Sequence, residues 1–583
     1  MDAPIHQLGF AGISAGGARR GRQAAATIPF VILGLFLVPI AVGLIGTILI
    51  AFGCLPAVGG DRFSLAPWQE LFAYPGFWST LGLTIFVGLA ATLLAVILAI
   101  GFCASGHGRV GYRRAEAMLA PLLASPHAAM AIGLAFVLAP SGWIARLISP
   151  WLTGWDVPPD VGLVGDPWGL TLVVALLVKE IPFILLMILA ALYQIPAEKH
   201  LNAARSLGYS PAMAWIKVIL PQIYPQIRLP IYAVLAFSLS VVDMALILGP
   251  SNPATLSVLA FRWFNAPDIA FYLPAASAAV LQFLVVIGAI VVWRVAEIAI
   301  ARIGRLWIAG GWRGSSRGTG LIVPTVVVLL LFALGGIALL AMALWSFASI
   351  WRYPGALPEA WTLATWMSQL PTLGWPAKAT FWLGILSTFV GIALVVTWLE
   401  CEDRGGIRLT RRALWLIYVP LVVPQISFLF SIQVLLIRFG FDGTLFAVVW
   451  AHLLFVLPYI FLSLADPWRA LDPRYARSAA ALGASPLNVL VKVKLPMLLR
   501  PILIACAIGF SVSVAQYLPT LFAGNGRIAT LTTEAVTLAG GADRRILGVY
   551  TLVQSLMPLL AYVLALSVPV LVFARRRALL RPT

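Results

Sequence analysis

The most informative scarcity in this 583-residue chain is charge. Asp, Glu, Lys and Arg make up only 10% of it, while 61% is hydrophobic. A soluble domain carries about 25% charged residues, so a water-exposed globular surface is excluded. Lysine is scarcer still, with six residues at 179, 199, 217, 378, 492 and 494, none of which follows a glycine. A phosphate-binding loop of the G-x-x-x-x-G-K-[ST] type is therefore absent, and any ATP hydrolysis by that route belongs to a partner. The four cysteines, Cys54, Cys103, Cys401 and Cys506, are scattered without a C-x-x-C pair, which argues against a disulfide framework or a structural zinc site. No H-E-x-x-H pattern or clustered Asp/His motif points to metal-assisted catalysis, so a polytopic membrane enzyme is a minor alternative and no cofactor is expected on this chain.

Long apolar runs are abundant. Spanning a bilayer by helix takes about 20 apolar residues, and lipid leaves no water to satisfy an open backbone. Stretches of that kind lie near 28–52, 77–104, 117–140, 169–193, 226–250, 272–296, 321–347, 378–400, 413–437, 445–467, 501–523 and 546–573. The expected fold is all-α and polytopic, with about 12 transmembrane helices. Placing the N-terminus in the cytoplasm puts most of the 39 Lys and Arg on the cytoplasmic side, as cation bias requires, and both termini then lie inside. The formal charge of +18 reads as topology and attraction to anionic lipid rather than nucleic-acid binding. The first apolar stretch follows Arg19, Arg20 and Arg22; it exceeds a signal-peptide core and reads as an uncleaved anchor.

The Gly-, Ser- and Arg-rich segment 301–320 has the composition of a flexible linker and separates six stretches from six. An even number per half makes the halves parallel repeats. The repeat is visible residue by residue. A loop running from Ala203 to Pro221 recurs from Ser478 to Pro496, with half of the aligned positions identical. Pro121 and Pro126 answer to Pro420 and Pro424, and Phe237-Ser238-Leu239-Ser240 to Phe510-Ser511-Val512-Ser513. In the loop, Gly208 and Gly483 sit where a helix would end in a left-handed residue. Ser210-Pro211 and Ser485-Pro486 then provide an N-cap and a first-turn proline. The second helix is expected to stop at Pro221 and Pro496.

The doubled loop resembles the permease-to-ATPase coupling loop of type I ABC importers that depend on a binding protein. The resemblance implies that Ala204, Leu207, Gly208, Ser210, Pro211, Lys217 and Pro221, with Ala479, Leu482, Gly483, Ser485, Pro486, Lys492 and Pro496, dock two copies of an ABC ATPase subunit, on which ATP and Mg are bound. It implies further partners: an extracytoplasmic solute-binding protein, a small-molecule or ion substrate, and the bilayer of a bacterial inner membrane. The Glu that names the family's loop is replaced by Asn202 and Arg477. The two-in-one layout resembles the fused permeases of iron(III), thiamine and related importers, and Ser511 through Gln516-Tyr517-Leu518-Pro519 to Thr532-Thr533-Glu534 looks most like a poorly characterised branch of that group.

The implied division is a cytoplasmic tail over 1–27, a first repeat over 28–300 (permease-like core 77–297, coupling loop 194–222), the linker 301–320, a second repeat over 321–574 (core 378–574, coupling loop 469–500) and a basic tail over 575–583. A secondary transporter with parallel six-helix repeats is the competing reading.

Ionisable groups inside spans are costly and face protein or a water-filled path. Asp243 and its counterpart Gln516, and His127 with its counterpart Gln425, are candidates for a translocation path along the pseudo-twofold axis; interhelical hydrogen bonding is the alternative role. Glu180, near Pro182, is a further candidate. Its neighbour Lys179 points about 100° away and is expected to pair with another acid. The two acids lean toward a cationic or mixed-charge cargo. Aromatics in the outer loops, among them Trp155 and Trp263, suit the headgroup level or a docking surface for the binding protein.

Overall fold

A computed structural model of the chain describes residues 15–56, 60, 62–106, 119–314, 322–405, 411–541 and 543–572. The tail before 15, linker positions 315–320 and the tail 575–583 lie outside the described residues. The helices, in chain order, are α1 Ala15–Ala51, α2 Ala66–Ala73, α3 Phe77–Gly106, α4 His127–Leu138, α5 Trp143–Ile148, α6 Leu170–Leu192, α7 Ala197–Ser206, α8 Pro211–Ala214, α9 Leu220–Ser240, α10 Asp243–Leu248, α11 Leu256–Phe264 and α12 Tyr272–Ala309. The second half continues with α13 Ile322–Phe347, α14 Ala364–Gly405, α15 Arg411–Val422, α16 Ile426–Arg438, α17 Leu445–Arg469, α18 Pro473–Ala481, α19 Pro486–Val489, α20 Leu495–Met497, α21 Leu499–Val514, α22 Leu518–Gly524, α23 Leu531–Ala539 and α24 Arg544–Val572. A short antiparallel hairpin, β1 Ala348–Ile350 with β2 Ala360–Trp361, joins α13 to α14. Arg146 of α5 holds its connecting loop by donating to the carbonyls of Arg352 and Gly355.

Among the described residues, nine helices are long and apolar enough to cross a membrane, or eleven if two sharply bent pairs each count as one span. The twelve expected spans are thus modified where helices break. Trp415–Val422 and Ile426–Arg438 meet at 86°, and Pro486–Met497 and Leu499–Val514 at 78°. The stretch near 226–250 is α9 and α10, separated by extended backbone at Val241. Segment 301–309, read as linker from its composition, forms the last turns of α12.

The repeat extends to individual hydrogen bonds. Thr84 Oγ1 accepts from the Leu256 N–H at 2.8 Å, and Thr380 Oγ1 accepts from the Leu531 N–H at 2.9 Å. These are the first N–H groups of α11 and α23, which no intrahelical carbonyl can satisfy. Ser257 Oγ likewise donates to the Val241 carbonyl and Thr532 Oγ1 to that of Val514. The halves also interlock. The first helix of each crosses to the other: α1 packs on α14 and α16, and α13 on α3 and α4. Small residues allow the close approach, as is usual between helices in lipid. A Cβ on Gly43 would sit 2.7 Å from the Phe428 carbonyl oxygen, and one on Gly133 would sit 2.7 Å from that of Ala338. Thr47 and Ser431 hydroxyls bond at 2.8 Å across the first of these contacts.

Candidate functional site: paired loops and a cluster at the helix breaks

The two repeated loops fold alike. Gly208 and Gly483 both take φ of +85°, in the left-handed region where a side chain is strained. Ser210 Oγ accepts from the Met213 N–H at 3.4 Å and Ser485 Oγ from the Asn488 N–H at 3.3 Å, so both serines are N-caps. Each short helix then widens into a five-residue π turn, Trp215–Ile219 and Leu490–Lys494. The expectation that Pro221 and Pro496 end the second helix is corrected here. Both prolines lie in the first turn of the next helix, where the missing N–H is harmless and the preceding π turn absorbs the change of register. Leu207 and Leu482 stand out at 63% and 89% exposure.

What anchors the loops differs. Lys217 is buried, although its repeat equivalent Lys492 is exposed. Lys494, which replaces Ile219, donates to Glu400 Oε2 at 2.7 Å and Asp403 Oδ2 at 2.8 Å on α14. Around that pair, Arg404 bonds Glu400 and Arg469 bonds Glu402, so a network of charges ties the second loop to the end of α14. On the first half a different knot ties α12 to α9: Glu297 of α12 meets Arg228 at 3.0 Å and Arg294 at 2.7 Å and accepts from Tyr224 and Tyr232.

The polar residues singled out inside the spans share one property: four of them lie at helix breaks. His127 is the first residue of α4, after Pro126; Gln425 is the N-cap of α16; Asp243 begins α10; and Gln516 lies between α21 and α22. His127 Nε2 is 3.9 Å from Glu180 Oε1, with the histidine partly exposed and the glutamate buried. The Phe237 ring lies 4.7 Å from that of His127. Lys179 does not make the expected side-chain ion pair. Its ammonium donates to the carbonyl of Leu122 at 2.7 Å, whose helical donor would be the N–H that Pro126 lacks, and to that of Ser125 at 2.6 Å. His127 and Glu180 are brought into contact, whereas Gln425 and Gln516 supply uncharged groups at the matching breaks.

Two features were hidden from the sequence. His452 is buried between Ser513 at 2.7 Å and Thr520 at 2.9 Å, bracing the break between α21 and α22. Its only sequence cue is the second Phe-Ser-x-Ser segment, which contains Ser513. Trp263, expected at a headgroup belt or a docking loop, is instead buried on α11, edge-on to Tyr74, while its neighbour Phe264 stacks on Phe430 of the other half at 4.0 Å.

No protein-family model matches the chain. Over 509 residues it is 31% identical to the inner membrane ABC transporter permease protein YnjC of Escherichia coli, an alignment covering 86% of this chain and 90% of that protein. The chain belongs to the ABC importer permeases. Shorter relatives align with about a third of this permease and with most of their own length. The putative 2-aminoethylphosphonate transport system permease protein PhnV of Salmonella typhimurium is 24% identical over 35% of this chain and 77% of itself. The molybdenum transport system permease protein ModB of Mycobacterium tuberculosis is 29% identical over 34% and 78%. Such proportions fit single-repeat permeases matched to part of a double-repeat one. Family membership sets aside the secondary-transporter reading: this permease is the membrane subunit of an importer that works with ATPase and binding-protein partners.

Proposed function

We propose that the loops 194–222 and 469–500 are cytoplasmic coupling elements, each docking one copy of an ABC ATPase subunit, and that both termini are cytoplasmic in a bacterial inner membrane. The observation that carries this reading is the identity of the two loop geometries: the same left-handed glycine, serine N-cap and π turn, each presenting an exposed leucine. A leucine raised on a rigid elbow suits a hydrophobic groove on a partner. Docking by shape and apolar contact is consistent with Asn202 and Arg477 in place of the family's glutamate. ATP binding closes the ATPase pair, the elbows move with it, and the interlocked halves rock between inward and outward openings. ATP and loaded binding protein each have to favour one conformation, because equal affinity for both would drive nothing.

The path for a small solute runs past the helix breaks at His127, Gln425, Asp243 and Gln516, with Glu180 behind His127. Broken backbone inside a bilayer is tolerated where it is buried in protein or lines a wet cavity. The ionisable groups among them, His127, Glu180 and Asp243, come from the first half, and the two acids lean toward a cationic or mixed-charge cargo. An extracytoplasmic binding protein supplies the cargo and much of its selection.

The test is co-purification of the ATPase with Gly208→Val and Gly483→Val permeases, together with transport in proteoliposomes. Loss of ATPase association with the permease still folded is expected; uphill transport by the permease alone would overturn the reading.

A further inference from the structure

We propose that the end of α12 and the residues after it, as far as Gly314, form a strap that becomes part of the first ATPase-docking site of this permease and sets its chemistry apart from that of the second elbow as the described residues present it. The inference rests on the coupling-loop reading above. Lys217 is the pin. Its ammonium donates to the carbonyls of Trp307 at 3.2 Å and Trp312 at 2.8 Å, and lies 4.4 Å from the centre of the Trp307 ring. The final carbonyls of a helix lack intrahelical partners and carry the negative end of its dipole, so a buried ammonium suits this place. The cation–π contact adds to it. Beyond the helix end, the Arg313 carbonyl accepts from the Ser210 N–H at 3.0 Å, and Gly314 packs against Ser210 and Met213. A Cβ on Gly208 would lie 3.5 Å from the Arg313 side chain, whereas one on Gly483 would meet nothing within 4 Å.

The strap leaves the exposed face of the first elbow open and widens it. Leu207 is exposed, and Trp312 beside the same elbow is 60% exposed, with Arg313 exposed next to it. The first docking surface therefore joins an aliphatic tip to an indole and a guanidinium. At the second elbow the surface is Leu482, Leu487 and the free ammonium of Lys492. The partner is one ATPase chemistry in two settings: an indole and a guanidinium beside the leucine at the first elbow, aliphatic side chains and the Lys492 ammonium at the second. Lys217 acts here as a positioning residue, holding the strap in place.

A photo-crosslinking amino acid is placed at Leu207 or at Leu482 in the full-length permease assembled with its ATPase subunits, and crosslinked ATPase is measured. Trp312→Ala and Lys217→Met are expected to lower the yield from position 207 by roughly threefold to tenfold, the range for losing a cation–π contact or one hydrogen bond at an interface, with the yield from 482 unchanged. Trp312→Phe is expected to restore much of it. An unchanged yield at 207 with Trp312→Ala, or an equal fall at both positions, overturns the strap's role; because Trp312 is exposed, its truncation removes no core packing and decides the matter if Lys217→Met destabilises the fold. No crosslink from either position in the unsubstituted permease would instead overturn the coupling-loop reading itself.

Discussion

Single residues at the elbows can be separated by what limits them. Gly483 has open space around its missing side chain and a left-handed backbone, so only the conformation restricts it. Asparagine visits that region readily and β-branched residues do not. Gly483→Asn is expected to keep ATPase association near that of the parent, while Gly483→Val costs about 1–2 kcal/mol in that backbone conformation and lowers association; quantitative co-purification from the same membranes distinguishes the two. Within the spans, Asp243→Asn removes a charge at the start of α10 without changing shape. Transport is expected to change while the ATPase still co-purifies; parent-like transport would leave Asp243 as a packing residue.

At the level of elements, the attachment of the second elbow to α14 is electrostatic. Lys494 is buried between Glu400 and Asp403. Removing Lys494 leaves Asp403 without that ion pair and Glu400 with Arg404 alone, and a buried carboxylate short of its cation costs more than the intact cluster contributes. Lys494→Met is expected to destabilise the detergent-solubilised permease by roughly 3 kcal/mol, the lower end for a broken buried pair because Asp403 is partly exposed. Adding Glu400→Gln is expected to recover part of the loss, since a buried carboxylate left with only the more exposed Arg404 disappears with it. Thermal denaturation of the single and double variants checks both, and a double variant less stable than Lys494→Met would refute the cluster as described.

The whole molecule is held together by the exchange of first helices between halves. With α1 lying on α14 and α16, and α13 on α3 and α4, the covalent linker supplies proximity rather than the contact itself. A protease site inserted between residues 315 and 320 is therefore expected to leave the two fragments co-purifying after cleavage. Separation of the fragments on an affinity column would show that the linker, and not the interlock, maintains the assembly.

Although the place of Pro221 and Pro496 was not legible in the chain, the class, the repeat, the elbows and their glycines, serines and first-turn prolines Pro211 and Pro486 were. They rest on local chemistry: apolar length, left-handed backbone and helix capping act over a few residues, and a second copy shows which matches matter. The residues later found at the breaks were also visible, through Pro126, Pro424 and the paired Phe-Ser-x-Ser segments. That Asp243 and Gln516 occupy interruptions was not, because α9, α10, α21 and α22 read as unbroken apolar runs, and the hydroxyls that meet the carbonyls at the breaks, Ser257 on Val241 and Thr532 on Val514, come from the helices that follow. Tertiary structure alone decided that Lys217 is buried and Lys492 free, since hydropathy is blind to which carbonyls a folded neighbour presents. It also decided that the apparent linker begins as helix and lies on the first elbow, because a composition rich in Gly, Ser and Arg records flexibility in isolation and not the packing partner that removes it.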